Sequence, residues 1–229
     1  MDIKHNYIEK GQGEPIILIH GNSSNCEYFV NQIEEFSKEY HVYALDTRGH
    51  GKTPRGTKPL TINQFAIDLL GFMDEKNIDK AHILGFSDGA NTAMVFAMKY
   101  PERVNRLILN AGNLYFDGIS KRAQLFVKSL YAISKIILPS QSEIIELMIT
   151  EPNLKPEDLS KIQAKTLVIV GSKDEIKKEH SELIAKSISN SKLVFIHGSN
   201  MNPLHNGTHF IACQNPKEYN KEVLTFLKE

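Results

Sequence analysis

The chain reads as an α/β protein built on a mostly parallel sheet with helices on both faces. Three observations predict this. Continuous apolar runs such as Pro15-Ile16-Ile17-Leu18-Ile19 mark strands covered on both faces. Helical patterns alternate with those runs, and right-handed crossovers turn such alternation into a parallel sheet. The residues with chemical capacity stand just after the runs, at the carboxyl ends of strands where such sheets bind ligands.

Taken in order, Ile3 to Glu9 alternate weakly and stop at Lys10-Gly11-Gln12-Gly13, which reads as an edge strand or hairpin. Pro15 to Ile19 is a buried strand ending in His20-Gly21-Asn22-Ser23-Ser24-Asn25, where Gly21 permits a sharp turn. A helix is expected from about Glu27 to Glu39, then a strand at His41–Leu45 that stops at Asp46-Thr47-Arg48-Gly49-His50-Gly51-Lys52-Thr53. Thr61 and Gln64 have capping-box spacing. The helix they open carries Ile62, Phe65, Ala66, Leu69, Leu70 and Met73 on one face.

Ala81 to Leu84 is the next buried strand, Ala90 to Tyr100 a buried helix, and Leu107-Ile108-Leu109 a strand within Arg103 to Asn110. From about Asn113 to Ile162 no strand is apparent. Helical patterns such as Ala123 to Ile137 appear there, with loop punctuation at Pro139, Pro152 and Pro156. We read 113–162 as a helical lid inserted into a single domain over 1–229, because roughly 50 residues is marginal for autonomous folding. Alternation resumes with strands at Thr166–Gly171 and Leu193–Ile196. Asn215-Pro216 then opens a final helix packed down by Val223, Leu224 and Leu227.

The 229 residues are 41% apolar and 24% charged, an ordinary balance for a globular chain with a sizeable core. The 27 basic residues equal the 27 acidic ones, so no global charge argues for nucleic acid or an anionic membrane as partner. Cys26 and Cys213 make neither a metal spacing nor a disulfide framework. The first residues have no apolar signal core and no run is long enough to span a bilayer, so a cytoplasmic protein is expected.

The chemistry centres on Gly85-Phe86-Ser87-Asp88-Gly89, set between the Ala81 strand and the Ala90 helix. A serine at such a strand-to-helix turn is exposed, and small neighbours let strand and helix close around it. The helix N-terminus directs free N–H groups and partial positive charge at any anion formed beside Ser87.

Together with His20-Gly21-Asn22, Asp46-Thr47-Arg48-Gly49-His50-Gly51, Gly171-Ser172-Lys173-Asp174 and Thr208-His209-Phe210, this stretch resembles the α/β-hydrolase fold over nearly the whole chain. Ser87-Asp88-Gly89 followed by Lys99-Tyr100-Pro101 is also similar, more weakly, to the valacyclovir hydrolase (biphenyl hydrolase-like) group. The resemblance implies Ser87 as nucleophile and His209 as its base, in the family's order serine, acid, histidine. His205 and His197 compete. Thr208-His209-Phe210 before Asn215-Pro216 matches the family's spacing and favours His209.

Asp174, just past Val168-Ile169-Val170-Gly171, is the candidate acid, with Glu175 and Asp158 less well placed. The backbone N–H groups of Asn22 and Asp88 are the expected oxyanion donors. His20, Asp46, Arg48 and His50 are expected to brace loops. The Asp88 carboxylate must point away from the oxyanion or be paired, or it faces the pocket and attracts a cationic substrate group.

The function so implied is a serine hydrolase cleaving a small ester or related acyl compound through an acyl-enzyme, with no cofactor or metal and a small-molecule substrate as its partner. The alternatives are C–C bond, amide or lactone hydrolysis or cofactor-free perhydrolysis on the same triad, or a non-catalytic binding member of the fold. A dehalogenase, whose nucleophile would be an aspartate, is disfavoured by Ser87.

Overall fold

Tyr7–Lys10 (β1), Pro15–Ile19 (β2), His41–Leu45 (β3), Ala81–Phe86 (β4), Val104–Asn110 (β5), Lys165–Gly171 (β6) and Ser191–Ile196 (β7) form one seven-stranded sheet. Its order is β1-β3-β2-β4-β5-β6-β7 in the computed structural model of the protein, which describes residues 2–198 and 208–229. Only β1 runs antiparallel; every other neighbouring pair is parallel.

The apolar runs fill both faces because successive side chains alternate across a strand. Ile17 and Ile19 of β2 face one core; Ile16 and Leu18 face the other, all but solvent-free. Helices Val30–Phe36 (α1), Ile62–Glu75 (α2) and Asp88–Lys99 (α3) pack on these faces. Helices Lys121–Ile137 (α4) and Pro139–Thr150 (α5) come between β5 and β6. Lys178–Ser187 (α6), the short Ile211–Gln214 (α7) and Pro216–Lys228 (α8) complete the chain.

Several local expectations shift. The helix expected from Glu27 begins as a 3-10 turn over Cys26–Phe29, and the α-helix ends at Phe36. Asp46 Oδ1 accepts the Cys26 N–H at 2.7 Å and Asn25 caps the turn, holding this backbone too tight for a regular helix start. The first strand starts at Tyr7, not Ile3. Residues 2–6 are instead tied to the 46–58 loop, with Asn6 N–H on Thr53 Oγ1 at 2.8 Å and His5 Nδ1 on the Asp46 carbonyl at 3.0 Å. Thr61 caps α2 by accepting the Gln64 N–H at 3.0 Å. The Gln64 side chain does not return that bond; it donates to Asp68, which leaves half a capping box. Pro139 marks a helix-to-helix break rather than a loop: α4 ends at Ile137, and the proline occupies the first turn of α5, where its missing N–H costs no hydrogen bond.

Candidate active site

The site lies where the strand order reverses. From β2 the chain crosses outward to β3, then returns to β4 on the other side of β2, so the loops after β2 and β4 diverge and leave a crevice between them. Ser87 follows β4 with φ 54 and ψ −120, a conformation that few residues other than glycine adopt. The surroundings enforce it. Ser87 N–H bonds the Asn110 carbonyl at 2.8 Å, and its own carbonyl accepts the N–H groups of Ala90 and Asn91.

The flanking glycines are steric requirements. A Cβ on Gly89 would stand 2.0 Å from the Ile19 carbonyl oxygen, and one on Gly85 would stand 2.2 Å from the Gly89 carbonyl oxygen. On the facing loop, a Cβ on Gly21 would meet Ser87 Cβ at 2.9 Å. These contacts bring the β2 loop against the serine.

His209 reaches Ser87 from the far end of the sheet. Its Nε2 lies 3.0 Å from Ser87 Oγ and its Nδ1 lies 2.9 Å from Asp174 Oδ1. With Nδ1–H donated to Asp174, Nε2 is left to accept the serine proton. The same Asp174 oxygen accepts the Ile176 N–H at 2.9 Å, which fixes the carboxylate after β6; the side chain is 1% exposed. The imidazole also lies against Phe86, centroid to centroid 4.9 Å, and Phe86 stacks on Tyr28 at 4.4 Å. Burial lowers the pKa of His209, but the Asp174 carboxylate, with Asp88 and Glu175, outweighs it and holds the ring above its ordinary value.

The N–H groups of Asn22 and Asp88, at the ends of the two loops that flank Ser87, have no hydrogen-bond partner among the described residues. The Asp88 carboxylate is buried and paired. Asn22 Nδ2 donates to one oxygen at 2.9 Å and Asn91 Nδ2 to the other at 3.3 Å. Burial pushes its pKa up to about 6, against those bonds and the nearby His209. Asn22 Nδ2 also donates to the Ile144 carbonyl of α5 at 2.7 Å.

The other candidates stand apart. His197 is exposed just past β7, and its carbonyl accepts from Asn215. His205 lies outside the described residues. The Glu175 carboxylate takes the Ser120 hydroxyl, and Asp158 pairs with Lys161 at 2.8 Å on the surface. His20 donates Nδ1–H to the Gly21 carbonyl at 2.7 Å and accepts the Thr47 N–H on Nε2 at 3.1 Å, so it holds loops. Asp46 holds Cys26, Lys52 and Asn6; Arg48 forks onto Asp68 at 2.7 Å and reaches Asp2. Asn91 and Asn113, which bond each other and Asp88's surroundings, were not singled out by sequence. Nor was Phe86: it fills the variable position of the motif, and no spacing marks it.

A cavity of about 350 Å³ opens over Ser87, roofed by Phe126, Val127 and Leu130 of α4 and by Met148 of α5. Among the described residues, no cluster of three metal-ligating side chains occurs and no helix is long and apolar enough to cross a membrane.

Residues 14–133 match the family described as alpha/beta hydrolase fold. The chain belongs to that family. Its hydrolase relatives include 3-oxoadipate enol-lactonase 2 of Acinetobacter baylyi, 34% identical over 110 residues that cover 47% of this chain and 41% of that protein. The 2-hydroxy-6-oxononadienedioate/2-hydroxy-6-oxononatrienedioate hydrolase 2 of Pseudomonas putida is 24% identical across 100% of this chain and 93% of its own. The chain spans about half the length, or less, of several curated relatives that it matches. Among solved structures, the enol-lactonase from Burkholderia xenovorans superposes with a TM-score of 0.80 at 20% identity, covering 99% of this chain and 97% of that one. A thermophilic esterase from Thermogutta terrifontis does so with 0.81 at 22%, covering 99% and 93%. At these identities the superpositions establish the family's fold and no more.

Proposed function

We propose that the protein is a serine hydrolase that cleaves a small ester or related acyl compound. The observation that carries this reading is one imidazole between two partners: His209 within 3.0 Å of a serine hydroxyl and 2.9 Å of a buried carboxylate. A serine hydroxyl is a weak nucleophile until a base takes its proton. His209 removes that proton as Ser87 attacks the carbonyl. Asp174 keeps the ring in the right tautomer and stabilises the imidazolium that forms. The oxyanion settles against the N–H groups of Asn22 and Asp88, each such donor contributing about 2.7–4 kcal/mol in acyl transfer. His209 then protonates the leaving group, and a water activated by the same ring releases the acyl-enzyme.

Residues 113–162 act in this reading as a lid within one domain, since α4 and α5 roof the cavity. A second reading, hydrolysis of a C–C bond on the same residues, is favoured by the relative of Pseudomonas putida that aligns along the whole chain. The test is labelling by a fluorophosphonate, followed by a panel of p-nitrophenyl esters of increasing chain length. Labelling at Ser87 and ester turnover, both lost in Ser87→Ala, are expected, with a fall in kcat of roughly a millionfold. An unlabelled Ser87 in folded protein points to a binding role. Labelling without turnover of any ester points to the C–C reading.

A further inference from the structure

We propose that the cavity over Ser87 accepts uncharged acyl groups and rejects those that carry a carboxylate. This rests on the reading of Ser87 as the nucleophile and names the substrate class that reading leaves open. The first observation is charge. Two acids, Asp88 and Glu175, line the cavity, and no lysine or arginine does. Residues 199–207, the stretch outside the described structure, contain no lysine or arginine either.

The second observation is that the amide side chains in the wall donate to one another's neighbours and to backbone carbonyls. Both N–H bonds of the Asn22 amide are used, on Asp88 and on the Ile144 carbonyl. Those of Asn91, just behind the wall, go to Asp88 and Asn113. Ser23 donates to Asn22, and Asn113 donates to the Tyr115 carbonyl. The rest of the lining is apolar, with Ile119, Val127, Leu130, Met148 and Ile176 among its side chains. A carboxylate entering this space would lose its water, meet no lysine or arginine, and face two fixed acids, with the one imidazole of the lining already paired to Asp174. An alkyl or aryl chain would lose nothing and bury its surface.

Two of the relatives are named for dicarboxylates, 3-oxoadipate and 2-hydroxy-6-oxononadienedioate. The described lining offers no lysine or arginine to pair with a second carboxylate. On these grounds the chain shares their fold and departs from the charge of their substrates.

The experiment compares p-nitrophenyl hexanoate with the p-nitrophenyl monoester of hexanedioic acid, two acyl chains of equal length, at pH 8. The neutral ester is expected to have a kcat/KM higher by about 100-fold. Met148→Arg, which adds a cation to the wall, should narrow that ratio by about tenfold. Equal turnover of both esters, or faster turnover of the acid, overturns the proposal. A second arm does not depend on catalysis: methyl hexanoate and monomethyl hexanedioate are titrated calorimetrically into Ser87→Ala protein. Tighter binding of the neutral ester supports the proposal even if wild-type protein hydrolyses neither substrate, which would sink only the nucleophile reading. Equal binding, tighter binding of the acid, or binding of neither overturns it.

Discussion

Helices α3 and α4 differ more from each other than either does from its sequence pattern. Ten of the twelve residues of α3 are buried, from Asp88 to Ala97, because the sheet, α2 and the neighbouring loops enclose it. Two of the seventeen residues of α4 are buried, Val127 and Ser134, while Leu125, Phe126, Ile133, Ile136 and Ile137 stand in the open. The first helix holds Ser87 in a conformation it would not adopt alone. The second roofs the cavity and packs chiefly on α5, to which Tyr131 donates a hydrogen bond at Glu146. Chemistry that needs atoms fixed to a few tenths of an ångström sits on the enclosed helix, and the shape of the pocket is left to the open one.

The comparison breaks most visibly at the glycines. Gly89→Ala sets a Cβ 2.0 Å from the Ile19 carbonyl oxygen, and neither backbone can move without opening the sheet. Loss of about 3 kcal/mol or more is expected, read as a fallen denaturation midpoint or as insoluble protein. Ile136→Ser, at an 83% exposed site on α4, should change stability by less than about 0.5 kcal/mol. A large effect at Ile136 would mean that α4 is covered in solution and that the contrast between the helices is false.

Much of the enclosed region was legible in the sequence, and the reason is physical. The continuous apolar runs at Ile16–Ile19, Ala81–Leu84 and Thr166–Val170 have one reading because both faces of a parallel strand are buried. The motif glycines are legible because the turn after β4 tolerates no Cβ. Those runs and turns locate Ser87 and Asp174; among three competing histidines only the family resemblance picks out His209, and the structure brings the three side chains within hydrogen-bond reach. Charge alone left Asp88 to point away from the oxyanion, to be paired or to face a cationic group, and its actual partners, Asn22 and Asn91, were not readable. Amides carry no periodicity and no fixed spacing. Nor was the exposure of α4 readable: a helical apolar stripe reports that a surface seeks cover, not whether anything covers it. The joint between the regions was hidden for the same reason. His180 accepts the Leu114 N–H at 2.9 Å across 66 residues, and Ile119 bridges Ile176.

That joint gives the next test, through pH. Burial holds His180 and His20 neutral and lowers both pKa values to about 4 from 6.5. Between those values the unfolded chain binds protons that the folded one does not, so stability is present above pH 6.5 and is lost as pH falls toward 4. Each ring accounts for about 3 kcal/mol over that window. Asp88, raised to about 6 by burial, opposes them between pH 6 and 3.8, because there the folded state holds the extra proton. His209 and Glu151, also raised in the folded state, oppose them in the same sense, while His50 and His82, lowered by burial, add to the loss, so the contribution of His20 and His180 is a fall in stability on acidification. A protonated His180 can no longer accept from Leu114. Amide hydrogen exchange at pH 5 should therefore rise across 113–162 before it rises in β4, and His180→Gln should remove much of that difference. Equal protection of both regions at every pH would show that the joint is not what separates them.

A more modest effect is expected where the two regions touch beside the serine. The amide of Asn22 holds Asp88 on one side and the Ile144 carbonyl of α5 on the other, so it couples the β2 loop to the roof of the cavity. Asn22→Ala keeps the backbone N–H and removes two hydrogen bonds, each contributing about 1 kcal/mol. A loss of about tenfold in kcat/KM is expected, far less than for Ser87→Ala. The shape of the pH profile separates this positioning role from simple loosening. The Asn22 bond lowers the pKa of Asp88, so without it Asp88 stays protonated to higher pH. Its charge then no longer supports the imidazolium of His209, whose pKa falls. The acid limb of kcat/KM should move to lower pH in Asn22→Ala and in Asp88→Asn alike. A limb that stays in place while the rate falls would show that Asn22 acts on the roof alone.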